Sequence, residues 1–443
     1  MRRPDGMRVV QALGWYFPES LGGTEVYVAA VAREMHRAGI DVRIAAPAPG
    51  AKRPTSYEHD GIQVFRYPIP DTPTRAEARG ETTAGGARVF HEWLAAERPD
   101  VVHVHTFVTG LDLLEIERAR HIGARVFVTS HSSALGYICL RGTLLQWGDD
   151  VCDGRVAPRR CAACALEQRG LRRPVASAIA ALPEPLARVA NRWDHPVGTA
   201  MGLPAYVASR MTRQRRLFES IDGFFALTGA ARAILVANGA PAAKVRINRL
   251  GIDADVIMPA AARRRSVGPI TVGYLGRLDP IKGVEDLLRA VESLPLEVDF
   301  RVDIRGVCSG VDGARVQQLC TMAAQRDPRI TVGGPVPRHD VSALLASWDV
   351  LCCPSRSLEG GPTVALEAFT AGTPVIGSRV GGLAEIVSED HGRLVHPGDW
   401  RGLAALIREL AQRPEMLDAW RAKLPPPRST RDIAADYLTA YSA

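Results

Sequence analysis

Two carboxylates, Glu359 and Glu367, stand with seven residues between them in the stretch SRSLEGGPTVALEAFTAGTPVIGSRVGGLAE, Ser355 to Glu385. Gly360, Gly361 and Pro362 follow the first, and the apolar run Thr363 to Leu366 leads to the second. Upstream, Asp349 to Cys353 reads as a buried parallel strand, and Val375-Ile376 reads as the next one. That places Glu359 on the loop leaving a strand and Glu367 about two turns into the following helix. The first turn of a helix presents backbone N–H groups at its positive end, and a glycine-rich entry lets an anion come close. Gly361, Pro362, Thr363 and Val364 are the candidates for that contact. Carboxylates on either side of a phosphate-binding helix start accept hydrogen bonds from hydroxyls on either side of the phosphate. A diphosphate with a sugar at one end and a ribose at the other has that layout.

Two cations complement it. Arg277 and Lys282 lie five residues apart in GRLDPIKG, one at a predicted strand end and one at a helix start, a spacing able to clamp a diphosphate. A lysine at a helix N-terminus disfavours the helix itself, so a ligand is the better reason for it. Gly22-Gly23 follow the first strand and open the first helix, where bare backbone can approach a phosphate or a sugar. The pair does not make a G-x-G-x-x-G fingerprint, so dinucleotide binding is a weak reading. His131 follows the predicted strand Arg125–Thr129, at the carboxyl edge where open α/β sheets bind ligands. His105 ends another strand and is expected near the same edge; His103 is expected to be structural.

The eight cysteines divide into two groups. Cys308, Cys320, Cys352 and Cys353 read as buried small apolar residues. Cys139, Cys152, Cys161 and Cys164 cluster, and Cys161-x-x-Cys164 has the bite of a metal chelate that the other two would complete as a four-thiolate tetrahedron. Zinc is expected ahead of an iron–sulfur cluster. It would staple a segment expected to lack an apolar core of its own, with no role in catalysis.

The elements that position these residues alternate strand and helix through most of the 443 residues, which predicts α/β class with parallel sheets. Predicted strands in the first half are 8–12, 41–45, 62–67, 101–105, 125–129 and 223–227. A helix over 24–37 buries Val28, Val31, Ala32 and Met35 and stops at Gly39. The alternation breaks from about Ser132 to Met211, an insertion rich in Arg, Cys, Pro and Ala. It restarts at Ile270, with strands predicted at 298–304, 329–332, 350–353, 374–377 and 393–395. The linker falls near Gly251 to Pro269, and a last helix at 430–441 follows Pro425-Pro426-Pro427. Residues 71–86 read as a flexible loop by composition.

The chain resembles the retaining glycosyltransferases of family 4. The resemblance rests on GGTEVYV (Gly22 to Val28), on TSHS (Thr129 to Ser132, one serine more than the usual THS) and on NRLGID ending at Asp253. It continues through GYLGRLDPIKG (Gly273 to Gly283), the two glutamates and GGLAEIV (Gly381 to Val387). Each piece alone is weak, whereas their order and spacing together are specific. The resemblance implies the GT-B architecture: two facing Rossmann-like domains, 1–250 for the acceptor and 251–427 for the nucleotide-sugar donor. The insertion at 132–211 belongs to the first domain, and the 430–443 helix packs back on it. It implies that Arg277 and Lys282 hold the leaving diphosphate, that His131 and Glu359 contact the donor sugar, and that Glu367 holds the ribose. It also implies same-face attack, with the leaving phosphate accepting the acceptor's proton, and no cofactor required for the chemistry. The donor would be a UDP- or GDP-sugar and the acceptor a glycan, a lipid-linked acceptor or a small molecule. Rival readings are another GT-B activity, such as an epimerase or phosphorylase, and a non-catalytic nucleotide-sugar-binding or zinc-module protein.

Composition narrows the partners. The net charge of +7 falls entirely within residues 1–260, and Arg155 to Arg216 carries twelve arginines against three acidic residues. An anionic partner is expected there, either a lipid headgroup at the inner face of the membrane or a phosphate-bearing acceptor. Nucleic acid is not expected, because aromatic residues are not interleaved and no reading motif is present. No run of 18 apolar residues occurs and MRRPDGMRVV passes straight into a strand, so a cytoplasmic protein is expected.

Overall fold

The computed structural model describes residues 6–20, 22–253, 268–308, 310–358 and 360–443. The middle of the expected linker and Glu359 lie outside the described residues. The chain divides into two compact units. One comprises residues up to Gly148, Cys152–Arg249 and Thr430–Ala443; the other comprises Asp149–Val151 and Leu250–Ser429.

The first unit is built on an eight-stranded sheet: β1 (Arg8–Ala12), β2 (Asp41–Pro49), β3 (Thr55–His59), β4 (Ile62–Ile69), β5 (Val101–Val104), β6 (Arg125–Thr129), β7 (Gly223–Ala226) and β8 (Val245–Ile247). Their order is β8-β7-β6-β5-β1-β2-β4-β3, parallel except for the antiparallel β3–β4 pair. β5, β6 and β7 are buried almost throughout because helices cover both faces, which is why they read as unbroken apolar runs. The short edge strands β3 and β8 carry no such run and were not expected from the sequence. The Gly23–Arg37 helix follows β1 and buries the predicted Val28, Val31, Ala32 and Met35.

The C-terminal helix Thr430–Ser442 belongs to this first unit. Tyr437 and Tyr441 on it are fully buried. The Tyr437 hydroxyl meets Tyr27 Oη at 2.7 Å and Thr129 Oγ1 at 2.9 Å, while the Tyr441 hydroxyl bonds His103 Nδ1. His103 Nε2 pairs with Thr129 Oγ1 at 2.8 Å, so its ring is engaged at both nitrogens beneath the sheet edge.

Residues 71–86 are more ordered than their composition predicts. A capping box holds the Arg75–Ala78 turn: Thr74 Oγ1 accepts from Glu77 N, and Glu77 accepts from the Thr74 backbone N–H. Glu77 also accepts from Gly85 N at 2.6 Å, closing the loop on itself.

The insertion also departs from expectation, because it has its own core. Ala162, Ala163, Ala165, Leu166, Ala176 and Ala180 pack with Leu203, Tyr206 and Val207. Most of these are alanines on the helices Pro158–Gln168 and Arg173–Ala180. Small side chains let helix backbones approach closely, so the core forms without the long apolar residues that would have announced it.

The second unit holds β9 (Ile270–Leu278), β10 (Phe300–Cys308), β11 (Ile330–Gly333), β12 (Val350–Cys353), β13 (Val375–Ser378) and β14 (Gly392–Val395), all parallel, in the order β11-β10-β9-β12-β13-β14. This is a doubly wound sheet whose strand order reverses between β9 and β12. Open α/β sheets bind ligands at such reversals, outside the carboxyl ends of the strands. Of the four cysteines expected to be buried here, Cys320, Cys352 and Cys353 are, whereas Cys308 is exposed because it is the last residue of β10.

Candidate functional site

In the second unit the reversal brings together the two segments that the sequence singled out. The carboxyl end of β9 carries Arg277, and the turn Pro280–Lys282 follows it. The carboxyl end of β12 runs into Pro354 and on to Gly360-Gly361, before the helix Thr363–Thr370. The two loops are tied directly: Arg356 N donates to Ile281 O at 2.8 Å. Arg356 also grips Asp286 of the Val284–Glu292 helix with both arms of its guanidinium, Nε at 2.7 Å. Gly283, with φ +71°, is the hinge between these pieces. A Cβ there would lie 1.9 Å from Pro354 O, so this position of the KG pair admits no side chain without moving the loop.

The helix Thr363–Thr370 starts without a side-chain cap. Gly361 enters it at φ +119°, and Gly382 of the GGLAEIV segment presses against the same loop. A Cβ on Gly382 would meet Gly361 Cα at 2.6 Å and Gly360 O at 2.7 Å. Two glycine pairs far apart in sequence thus pack backbone to backbone beside an open helix start. Pro362 and Val364 flank that start half-buried, and Thr363 is exposed. The Arg277 side chain is 54% exposed and lies 3.8 Å from Asp279. Lys282 is half-buried on the adjoining turn.

Glu367 is the fifth residue of its helix, little more than one turn in rather than the two expected. Its Oε1 accepts from Arg338 Nη1 at 2.5 Å, a partner that sequence spacing could not reveal across 29 residues. Among the described residues its Oε2 makes no further bond. Arg338 therefore orients the carboxylate and leaves one oxygen for a hydroxyl.

In the first unit, β1, β5 and β6 bring Gln11, His105 and His131 into a chain. His105 Nε2 contacts Gln11 Oε1 at 2.7 Å, and His105 Nδ1 contacts His131 Nε2 at 3.0 Å. Gln11 Nε2 points the other way, to Met35 Sδ at 3.4 Å, which fixes its oxygen as the acceptor. Burial holds both imidazoles neutral at pH 7. It pushes His131 down to about 3, and His105 lies well below its ordinary value, with His103 and His131 adding repulsion. For neutral rings the network allows one assignment. His105 donates through Nε2 to Gln11 and accepts at Nδ1 from His131 Nε2–H. His131 Nδ1 is then an unprotonated acceptor, suited to a substrate hydroxyl. Tyr27 supports the His131 ring edge-on at 4.7 Å.

His105 and His131 line a cavity of about 500 Å³ with Trp15, Thr24, Ser130 and Ser132. Arg79 and Arg210 also line it. Gly22 and Gly23 are both exposed at the start of the neighbouring helix. Gln11, Tyr27 and Arg79 were not anticipated, whereas Arg210 belongs to the Arg155–Arg216 segment where an anionic partner was expected. Gln11 and Tyr27 lie inside a strand and a helix, and Arg79 was indistinguishable from other surface cations.

The four insertion cysteines converge as well. Cys139, Cys152, Cys161 and Cys164 line one cavity of about 40 Å³. Backbone N–H groups point at three of the sulfurs: Trp147 N to Cys164 Sγ at 3.3 Å, Ala157 N to Cys161 Sγ at 3.4 Å, and Gly154 N to Cys152. All four are free thiols, and among the described residues no group of three or more His, Cys, Asp or Glu stands at metal-holding geometry.

Comparison with known proteins accounts for both units. Residues 22–197 match the family model described as glycosyl transferase 4-like domain, and residues 261–424 match the one described as glycosyl transferases group 1. The D-inositol 3-phosphate glycosyltransferase of Pseudarthrobacter chlorophenolicus is 27% identical over 422 residues, covering 89% of this chain and 84% of that protein. Among solved structures, the sucrose-phosphate synthase of Thermosynechococcus elongatus superposes with a TM-score of 0.66 at 20% identity, over 98% of both chains. The Anabaena protein HepE, solved in complex with UDP, gives 0.63 at 14% identity over 98% of this chain and all of that one.

Proposed function

Because the chain belongs to the family 4 glycosyltransferases of GT-B architecture, we propose that it is a retaining enzyme that moves a sugar from a UDP- or GDP-sugar to a hydroxyl acceptor. The observation that carries this reading is the open helix start at Gly361–Thr363, with Arg277 and Lys282 on the adjoining loop at the strand reversal of the second sheet. The donor diphosphate lies against that helix start. As the bond from the anomeric carbon to the phosphate oxygen breaks, negative charge grows on the leaving phosphate. Arg277, Lys282 and the helix N-terminus stabilise it there more than in the ground state. The acceptor hydroxyl attacks from the face that the phosphate leaves, and its proton passes to that phosphate. Glu367, held by Arg338, takes a ribose hydroxyl on Oε2. Glu359 takes hydroxyls of the donor sugar. His131 Nδ1 accepts from a sugar hydroxyl, and the neighbouring cavity of the first unit takes the acceptor.

A GT-B epimerase or phosphorylase would use the same donor loops, and a binding protein would use them without turnover. Incubation with radiolabelled UDP- and GDP-sugars separates these. Donor-dependent release of nucleoside diphosphate with label in a new product supports transfer; binding without turnover refutes it. Arg277→Ala and Lys282→Ala should each lower kcat about 10²–10³-fold, the usual effect of removing one charge-stabilising group. Unchanged turnover in both variants would remove the diphosphate assignment.

The cysteine cavity supports a second, structural proposal: Cys139, Cys152, Cys161 and Cys164 bind one zinc ion. Four thiols around a space of about 40 Å³ offer room for a single ion. N–H groups aimed at sulfur favour thiolate, while burial pushes the Cys152 and Cys161 thiols up, a cost that the bound ion would have to offset. Arg141 Nη1, 3.9 Å from Cys164 Sγ, and Arg160, beside Cys152 and Cys161, offset the charge of four thiolates. The thiols would have to turn toward one another to close the tetrahedron.

A further inference from the structure

Three consecutive helices of the insertion are amphipathic in the wrong sense. Arg173–Ala180 buries Ala176 and Ala180 and exposes Val175. Glu184–Ala190 buries Ala187 and Ala190 and exposes Leu186 and Val189. Pro196–Met201 buries Gly198 and exposes Val197. Trp193, in the turn before the last of these, is also exposed. The five bulky side chains are 49–56% exposed, and they make up five of the thirteen large apolar residues exposed among the described residues. Small residues face inward and large apolar ones face water, the reverse of what a helix needs to dock on its own domain. The three helices are neighbours: Glu184–Ala190 and Pro196–Met201 pack on each other and on Leu203–Ser220, and Arg173–Ala180 packs on Pro196–Met201. Leu186 and Val189, three positions apart, share one face.

The surroundings of this patch are cationic. Arg172, Arg173, Arg188 and Arg192 are exposed among these residues, with Glu184 and Asp194 as the acidic side chains. Glu184 pairs with Arg188, and Asp194 lies 4.0 Å from Arg75. Arg169 is exposed just upstream. Exposed Leu, Val and Trp interleaved with exposed arginines is the chemistry of a segment that sinks its apolar side chains below lipid headgroups and sets its cations among the phosphates.

We propose that the outer face of residues 172–197 docks on an anionic phospholipid bilayer. Charge complementarity selects this occupant. A second copy of the chain would bring the same arginines against each other, whereas an anionic leaflet neutralises them. The surface also connects to the cavity of the first unit. Arg79, which lines that cavity, donates to Asn191 Oδ1 at 2.9 Å, and Arg75 holds the Trp193 carbonyl. Docking would therefore fix the cavity close to the headgroups. That last consequence rests on the acceptor reading above; the docking surface itself does not.

The test is co-sedimentation of the purified full chain with sucrose-loaded vesicles, without donor or acceptor, so the outcome is independent of transfer activity. Vesicles of equal parts phosphatidylglycerol and phosphatidylcholine should pellet the protein, and pure phosphatidylcholine should pellet far less. Leu186→Glu/Val189→Glu should lower the partition coefficient at least about tenfold while leaving thermal unfolding unchanged, since both side chains already face water. Arg172→Gln/Arg192→Gln should lower it roughly fivefold per arginine and weaken its salt dependence. No binding to anionic vesicles, or equal binding by wild type and both variants, overturns the proposal. So does a concentration-dependent dimer, seen by sedimentation velocity, that the glutamate pair abolishes in protein that ignores vesicles.

Discussion

His131 shows what a single residue's surroundings decide. Its ring is held neutral by burial and donates through Nε2 to His105, which leaves Nδ1 as an acceptor. The pH consequence has a definite sign. A histidine whose folded value is depressed to about 3 from an ordinary value near 6.5 binds its proton more readily in the unfolded chain. Between pH 3 and 6.5 the unfolded state therefore holds more protons, and stability falls as pH drops through that window; above it the contribution is level. His105 acts in the same direction. Urea unfolding of wild type should show a lower midpoint at pH 5 than at pH 7.5. His131→Gln, which keeps a polar side chain but cannot take up that proton, should narrow the gap. An equal gap in the two proteins would mean that His131 is not held neutral by the fold. Glu367 makes a related point. The sequence marked it as a binding residue, yet the cation that orients it, Arg338, lies on a separate turn and was invisible to spacing.

At the scale of elements, the insertion carries the largest departures from expectation. It was read as coreless, whereas alanine-lined helices give it a core of its own. The zinc proposed for the four cysteines would then clamp the 139–164 segment rather than be the sole source of order in the insertion. Purified protein should contain about one equivalent of zinc by plasma mass spectrometry, following the four-ligand rule. Cys161→Ser, or prolonged chelation, should release it and speed proteolytic cleavage within 139–164 first. The helices Glu184–Ala190 and Leu203–Ser220 should resist cleavage longer, because alanine packing holds them. Protein free of metal as purified, with cleavage unaffected by Cys161→Ser, would leave four ordinary thiols. The donor loops teach a different lesson. Gly283 and Gly382 are small because backbone passes within van der Waals distance of them, so their value is steric and lies in loop-to-loop fit.

At the scale of the whole molecule, the chain crosses from the first unit to the second and returns for its final helix. Thr430–Ser442 supplies Tyr437 and Tyr441, which close the hydrogen bonds of Tyr27, Thr129 and His103. Each buried hydrogen bond contributes about 0.5–1.5 kcal/mol net, and the two tyrosines bury large apolar rings besides. Truncation after Ser429 should therefore destabilise the first unit selectively. Calorimetry should show one transition shifted down by several degrees and another, assigned to residues 250–429, nearly unmoved. A uniform shift of both, or none, would refute the assignment of the last helix to the first unit's stability.

Much of this was legible in the linear chain, for a physical reason in each case. Buried parallel strands need continuous apolar runs, so 101–104, 125–129 and 350–353 announced themselves within a residue or so. Glycine-rich entries and paired cations beside predicted strand ends pointed to an anion, because strand ends in α/β sheets converge. The four clustered cysteines implied proximity, and the fold brings them to one cavity. The short edge strands β3 and β8 were not legible, since an edge strand needs no apolar run. Nor was the order in residues 71–86, where one capping box outweighs a loop-like composition. The strand order, the orientation of Glu367 by Arg338, and the relay Gln11–His105–His131 depend on residues tens of positions apart. So does the outward face of Leu186 and Val189, since which side of a helix is inner is decided by what it packs against. Local chemistry and periodicity are written along the chain; which side chains meet, and which face water, is decided only when the sheets and helices close around them.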